Sequence, residues 1–99
     1  MNTATTLIAA WFTNNEEARS QYLQASDRIF RDHGMIDATL FTSEEPIVGN
    51  LTPHAVVMVK WKDAHGARSA FTSPEYQKIL GLRDQAFSKL DITLIAEQG

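Results

Sequence analysis

His54–Trp61 reads HAVVMVKW, the most apolar run of the chain, and it is apolar on both sides. Side chains of a strand alternate between the two faces of a sheet. Ala55, Val57, Val59 and Trp61 therefore point one way, and Val56 and Met58 the other. An antiparallel strand covered on one face only would turn polar on its second face, and this one does not. Thr5–Phe12 (TTLIAAWF) behaves alike, with Leu7, Ala9 and Trp11 opposed to Ile8, Ala10 and Phe12. Two strands of this kind belong in the middle of a sheet whose faces are both covered.

Working outward, Met35–Thr42 (MIDATLFT) and Asp91–Glu97 (DITLIAE) read as two further strands. Between them lie helices. Asn14 or Asn15 caps a helix with Glu16 and Glu17 in its first turn and Arg28, Arg31 and His33 towards its end. Those charges complement the helix dipole, and Gly34 is the expected stop. The inward stripe is Ala18, Tyr22, Ala25 and Ile29, widened by Leu23 and Phe30. Asp63 caps a short helix to about Phe71, weakened by Gly66. Ser73 then caps a longer helix to about Leu90. Pro74 stands at its first position, and Tyr76, Ile79, Leu80, Ala86, Phe87 and Leu90 are available for burial. Ser43–Pro53 reads as a polar loop, with Ile47–Val48 as a short extended piece.

The order is β-α-β-β-α-β. This predicts one α+β domain over residues 1–99, ferredoxin-like, an antiparallel four-stranded sheet with helices on one face and the first and third strands central. Four strands at about 4.8 Å make a sheet roughly 19 Å wide, which two helices of about 10 Å cover on one face. No element remains for the other face. The simplest cover is a second copy, giving a homodimer with sheet packed on sheet.

Composition narrows the function. The 99 residues are 43% hydrophobic and 21% charged, ordinary for a folded soluble protein, and the net charge is −3. Nine basic residues scattered without a run do not make a phosphate-binding surface, so no nucleic-acid partner is expected. Without cysteine there is no disulfide, thiolate nucleophile or cysteine metal site. Leu7–Phe12 is too short for a signal-peptide core or a membrane span, so no membrane partner and a cytoplasmic location are expected.

His33, His54 and His65 stand at no metal-ligand spacing with one another or with acids. No H-E-x-x-H, G-x-S-x-G or glycine-rich phosphate loop occurs, so neither metal nor cofactor is expected. Four residues are candidates for ligand contact. Arg83 follows Tyr76 by seven and Ile79 by four, hence near the same helix face. It suits a carboxylate or phenolate, or an ion pair with Glu75, Asp84 or a strand-end acid. Tyr76 is either a core aromatic with its hydroxyl satisfied or a hydrogen-bonding group for a ligand. Trp11 and Trp61 end adjacent central strands, where they line a pocket for a flat apolar ligand or plug a dimer seam.

Ser73-Pro74-Glu75-Tyr76-Gln77, apolar positions, and then Leu82-Arg83 resemble the late motif of the domain of unknown function 1330 family. Its members are small proteins of the dimeric α+β barrel superfamily. Gly49 and Pro53 match the glycine and proline of the family's loop before the third strand. The resemblance covers nearly the whole chain and is sharp in its second half. It departs at Leu51, where an aromatic is usual, at Ala55, where a basic residue is usual, and at Phe71-Thr72, where the family has an aromatic pair.

The resemblance implies a ferredoxin-like fold and a homodimer. Superfamily relatives include cofactor-free monooxygenases acting on polyphenols and haem-degrading enzymes. A small-molecule binder or cofactor-free monooxygenase-like enzyme, with a cleft between helices and sheet, is therefore implied by analogy. Haem chemistry fits less well, because the helix after Trp61 offers Phe71 and no well-placed histidine ligand. In such a cleft Arg83 would anchor an anionic group, Tyr76 would hydrogen-bond, and Trp11 or Trp61 would give a stacking wall to a small apolar or anionic ligand. The alternative is a non-enzymatic binding or assembly module whose sheet faces serve association alone.

Overall fold

Asn15 Oδ1 accepts the Ala18 amide at 2.9 Å, which settles which asparagine caps the first helix. At the other end Gly34 adopts φ +100°, a left-handed conformation that L side chains rarely take, and the helix stops. The computed structural model describes residues 2–98. Its elements are β1 (Ala4–Phe12), α1 (Glu16–Asp32), β2 (Met35–Thr42), β3 (Ala55–Trp61), α2 (Ala64–Thr72), α3 (Pro74–Gln77), α4 (Leu80–Ala86) and β4 (Phe87–Ile95). The strand order is β2-β3-β1-β4 with every neighbour antiparallel, so the two most apolar strands are central, as their composition requires. This is the ferredoxin-like arrangement.

Both crossovers place their helices on one face. Thr6, Ile8, Ala10, Ala55, Val59 and Trp61 are buried beneath them. Phe30 of α1 centres an aromatic cluster, 5.3 Å from Trp61 and 5.1 Å from Phe71 between ring centroids. The Trp61 indole N–H, which burial would otherwise strand, donates to Thr6 Oγ1 at 3.0 Å. Leu7, Ala9, Trp11, Val56 and Met58 look out from the opposite face. The Cα framework is 17 Å thick, room for one sheet and one helix layer, and none of the described residues covers that second face.

Three boundaries differ from the sequence expectation. The helix begun at Ser73 is two short helices, broken at Lys78–Ile79, where Ile79 (φ −104°, ψ 10°) starts α4 without a side-chain cap. β4 begins at Phe87, whereas the spacing of Phe87 and Leu90 reads as helical. The register explains this: Phe12 pairs with Phe87 and Trp11 with Lys89, so Ser88 is the extra residue of a β-bulge. The bulge places Phe87 and Leu90, three apart, on one face of a strand. Finally, Ile47–Val48 forms no strand. It stands out from the body in the β2–β3 loop, 91% and 92% exposed.

Gly66 has a packing reason for being there. A Cβ at this position would lie inside van der Waals contact of the His33 carbonyl oxygen, whereas a Cβ at Gly81 meets nothing within 4 Å. Helix propensity favours alanine by up to about 1 kcal/mol at both positions. Urea denaturation should therefore find Gly81→Ala stabilised by up to that amount, and Gly66→Ala destabilised by about 1–3 kcal/mol through overpacking. A Gly66→Ala protein as stable as the wild type would remove the close approach from the account.

Candidate functional site

The inward stripe of α1 does more than fill the core. Arg19, Tyr22, Leu23, Ser26, Asp27 and Phe30 recur at helical spacing, and all line one cavity between α1 and the sheet. There β2 is exposed along nearly its whole length. The result is a cleft of about 390 Å³ between α1 and the helix-facing side of β2, β3 and β1. Ile8, Ala10, Ala55 and Val57 contribute to its sheet side, and Leu40 and Phe87 lie towards its edges. That volume and apolar character match sites for small organic molecules.

Few polar groups enter it. The Arg19 guanidinium donates to the Thr13 carbonyl at 2.9 Å and lies 4.3 Å over the Phe12 ring. Phe12 in turn stacks on His54, centroids 5.0 Å apart, and its amide donates to His54 Nδ1 at 2.9 Å. That bond fixes the ring with Nδ1 as acceptor. Asp27 pairs with Arg31 at 2.9 Å, and the buried Ser26 hydroxyl donates to the Leu23 carbonyl at 3.3 Å.

From Tyr22, which lines the cleft, a short polar chain runs back behind its wall. Tyr22 and Tyr76 hydroxyls are 2.9 Å apart, and Arg83 Nη1 lies 3.5 Å from Tyr76 Oη. Arg83 also approaches Asp84 at 3.6 Å on the solvent side. Burial pushes the Tyr22 hydroxyl far above the ordinary tyrosine value, and the neighbouring Tyr76 raises it further. The hydrogen bond to Tyr76 pushes Arg83 up in its turn.

The structure distributes the four sequence candidates differently from a shared pocket. Tyr76 and Arg83 do meet, as their spacing of seven implies, but neither lines the cleft; Tyr22 stands between. Trp61 is fully buried, with its N–H committed to Thr6. Trp11 lies on the open face with Lys89 Nζ 4.8 Å over its ring. Ala4 pairs with Trp61 and Ala10 with Ala55, so the tryptophans occupy opposite ends and opposite faces of the β1–β3 pair and share no wall. Sequence reasoning placed Tyr22 in the core stripe without seeing its role. Its partner is 54 residues away, and no local pattern announces that pairing.

Among the described residues, no three His, Cys, Asp or Glu side chains converge as a metal site would require. His33, for example, is engaged with Ser69 Oγ at 2.9 Å. Nor is any helix among them long and apolar enough to cross a membrane.

The fold and cleft define a class, the small ferredoxin-like α+β proteins, and solved structures agree. A protein of unknown function from Rhodopseudomonas palustris superposes with a TM-score of 0.83 at 14% identity, over 98% of this chain and 83% of its own. SnoaB, a cofactor-independent oxygenase from Streptomyces nogalater, superposes at 0.76 and 12% identity, over 100% of this chain and 96% of its own. A dimeric ferredoxin-like protein of unknown function from a Jannaschia species gives 0.73 at 7% identity, over 97% and 100%. At such identities the likeness is one of fold. No curated protein matches the chain. The family model Domain of unknown function (DUF1330) matches residues 6–98, and the chain belongs to that family.

Tyr22 carries a pH signature. Its folded-state pKa lies above the unfolded value of 10.0, so the unfolded chain binds fewer protons once pH passes 10. Its contribution is intact below that pH and is lost above it, at a slope approaching about 1.4 kcal/mol per pH unit. Urea denaturation between about pH 9 and 11 should show the wild type losing stability faster than Tyr22→Phe. Parallel curves for the two proteins would mean that Tyr22 ionises as an ordinary tyrosine.

Proposed function

We propose that this chain binds a small, largely apolar molecule in the cleft beneath α1, and that it does so as a homodimer whose open sheet faces pack together. The observation that carries the binding reading is the cleft itself, about 390 Å³ of apolar space with a few polar groups on its α1 side. The dimer is supported by the uncovered row of Leu7, Ala9, Trp11, Val56 and Met58 on the second face. The dimeric description of a structurally similar protein supports it too. Trp11 then belongs to the seam and not to the cleft.

A catalytic reading stands second and rests on one observation, the fold likeness to the cofactor-independent oxygenase SnoaB over the full length of this chain. A fold hosts many activities, so binding comes first and turnover is a further question for the bound molecule.

Heteronuclear NMR with naphthalene as an apolar probe tests the cleft. Amide shifts should concentrate on Arg19–Phe30 and Ala55–Val59, and Ala55→Trp, which fills the cleft, should abolish them. Shifts confined to the open face, or none, would overturn the cleft reading. Sedimentation tests the dimer independently. The wild type should run at twice the chain mass, and Met58→Glu, which puts a charge on the open face, should run as a monomer. A wild type that sediments as a single chain at micromolar concentration would remove the dimer.

A further inference from the structure

We infer that Tyr22 is the ligand-contacting hydroxyl of the cleft, held as a donor by a relay that runs Arg83 to Tyr76 to Tyr22. The cleft then takes an apolar molecule bearing one acceptor oxygen, bound best when that oxygen is negatively charged. This rests on the cleft-binding reading above and adds what the cleft recognises.

The direction of the relay follows from counting protons. A guanidinium only donates, so at 3.5 Å it is the Tyr76 oxygen that accepts from Arg83. The two tyrosine hydroxyls, 2.9 Å apart, hold two protons and need only one between them. One O–H is left over. If Tyr22 donated to Tyr76, the spare proton would sit on Tyr76, 1% exposed and packed against the rings of Phe30 and Phe71. An unpaired donor there is costly. If Tyr76 donates to Tyr22, the spare proton sits on the only member of the relay that lines the cleft. Among the described residues, Tyr22 Oη has no side-chain or backbone partner besides Tyr76, so that proton has no acceptor within the protein.

The other polar groups that α1 brings to the cleft are engaged nearby. Ser26 donates to Leu23, Asp27 holds Arg31, and Arg19 is fastened to Thr13 and the face of Phe12. The positive charge of Arg83 at the far end polarises both hydroxyls in sequence, which strengthens the last donor towards an anionic acceptor. Tyr76 and Arg83 are thus positioning residues that act through Tyr22.

Three probes of similar size separate the terms: naphthalene, which has no acceptor; 2-acetonaphthone, a neutral ketone; and 2-naphthoate, an anion. Dissociation constants are measured by NMR titration on wild type, Tyr22→Phe, Tyr76→Phe, Arg83→Met and Arg19→Met, each first checked for folding by thermal melting. Tyr22→Phe should weaken 2-naphthoate about tenfold and leave naphthalene within about twofold. Arg83→Met should weaken 2-naphthoate more than 2-acetonaphthone, because Tyr22 still donates but without the charge behind it. Should Tyr22→Phe not fold, Tyr76→Phe carries the test through the same selective loss of 2-naphthoate.

Equal weakening of naphthalene and 2-naphthoate in Tyr22→Phe would make Tyr22 a mere wall and overturn the inference. So would selectivity lost in Arg19→Met and kept in Tyr22→Phe. In both cases naphthalene binding to the wild type leaves the cleft reading standing. A wild type that binds none of the three probes overturns the cleft reading and this inference with it.

Discussion

Everything here depends on a shortage of cover. β1 and β3 are apolar on both faces, and α1 with its three short successors can shield only one of them. The helices go where the right-handed crossovers of the fold take them, over Ile8, Ala10, Val59 and Trp61. The opposite row of Leu7, Ala9, Trp11 and Met58 is left uncovered by any of the described residues. The same shortage shapes the helix-covered side. α1 packs chiefly against α4, and β2 stays exposed along nearly its whole length. The space between them is the cleft, so the candidate binding site and the candidate interface have one cause.

Much of this was legible because strand and cap signals are local. Alternation in TTLIAAWF and HAVVMVKW assigned both central strands and the face of each residue, and the register bears out that assignment pair by pair. Caps were plain at Asp63 and Ser73 and narrowed to Asn14 or Asn15 for α1; the Asn15, Asp63 and Ser73 side chains accept from the Ala18, Gly66 and Tyr76 amides. What failed was whatever required knowing the partner strand. The bulge at Ser88 mimics helical spacing between Phe87 and Leu90, and only the pairing with β1 distinguishes the two. Gly66 looked like a weakness of propensity and is instead a close approach to the end of α1.

The site was half legible. Seven-residue spacing did bring Arg83 to Tyr76, since the end of α3, a short break and the start of α4 keep them within reach. The step missing from sequence was Tyr22. As a member of an apolar helical stripe, it reads as core until the hydroxyl of a residue 54 positions away is seen beside its own. For Trp11 and Trp61 the sequence left a pocket wall and a seam plug open. Antiparallel pairing sends their two ends apart and the pleat sends their rings to different faces, so they share no wall.

The motif that carries the family resemblance divides from the departures along a physical line. Ser73 is buried. Its hydroxyl donates to the Ala70 carbonyl at 2.8 Å and accepts the Tyr76 amide at 3.1 Å, so Ser-Pro-Glu-Tyr is a cap that aims Tyr76 at Tyr22. Arg83 closes the relay from behind. None of these residues lines the cleft. Ala55 does, at the position where the family resemblance implies a basic residue. A lysine or arginine at 55 would place a cation within the cleft and make the relay redundant as a source of positive polarisation. With alanine there, the nearest charge behind Tyr22 is Arg83, delivered through two neutral hydroxyls. The residues that orient Tyr76 and Tyr22 are thus separate from the wall of the cleft to which Ala55 belongs.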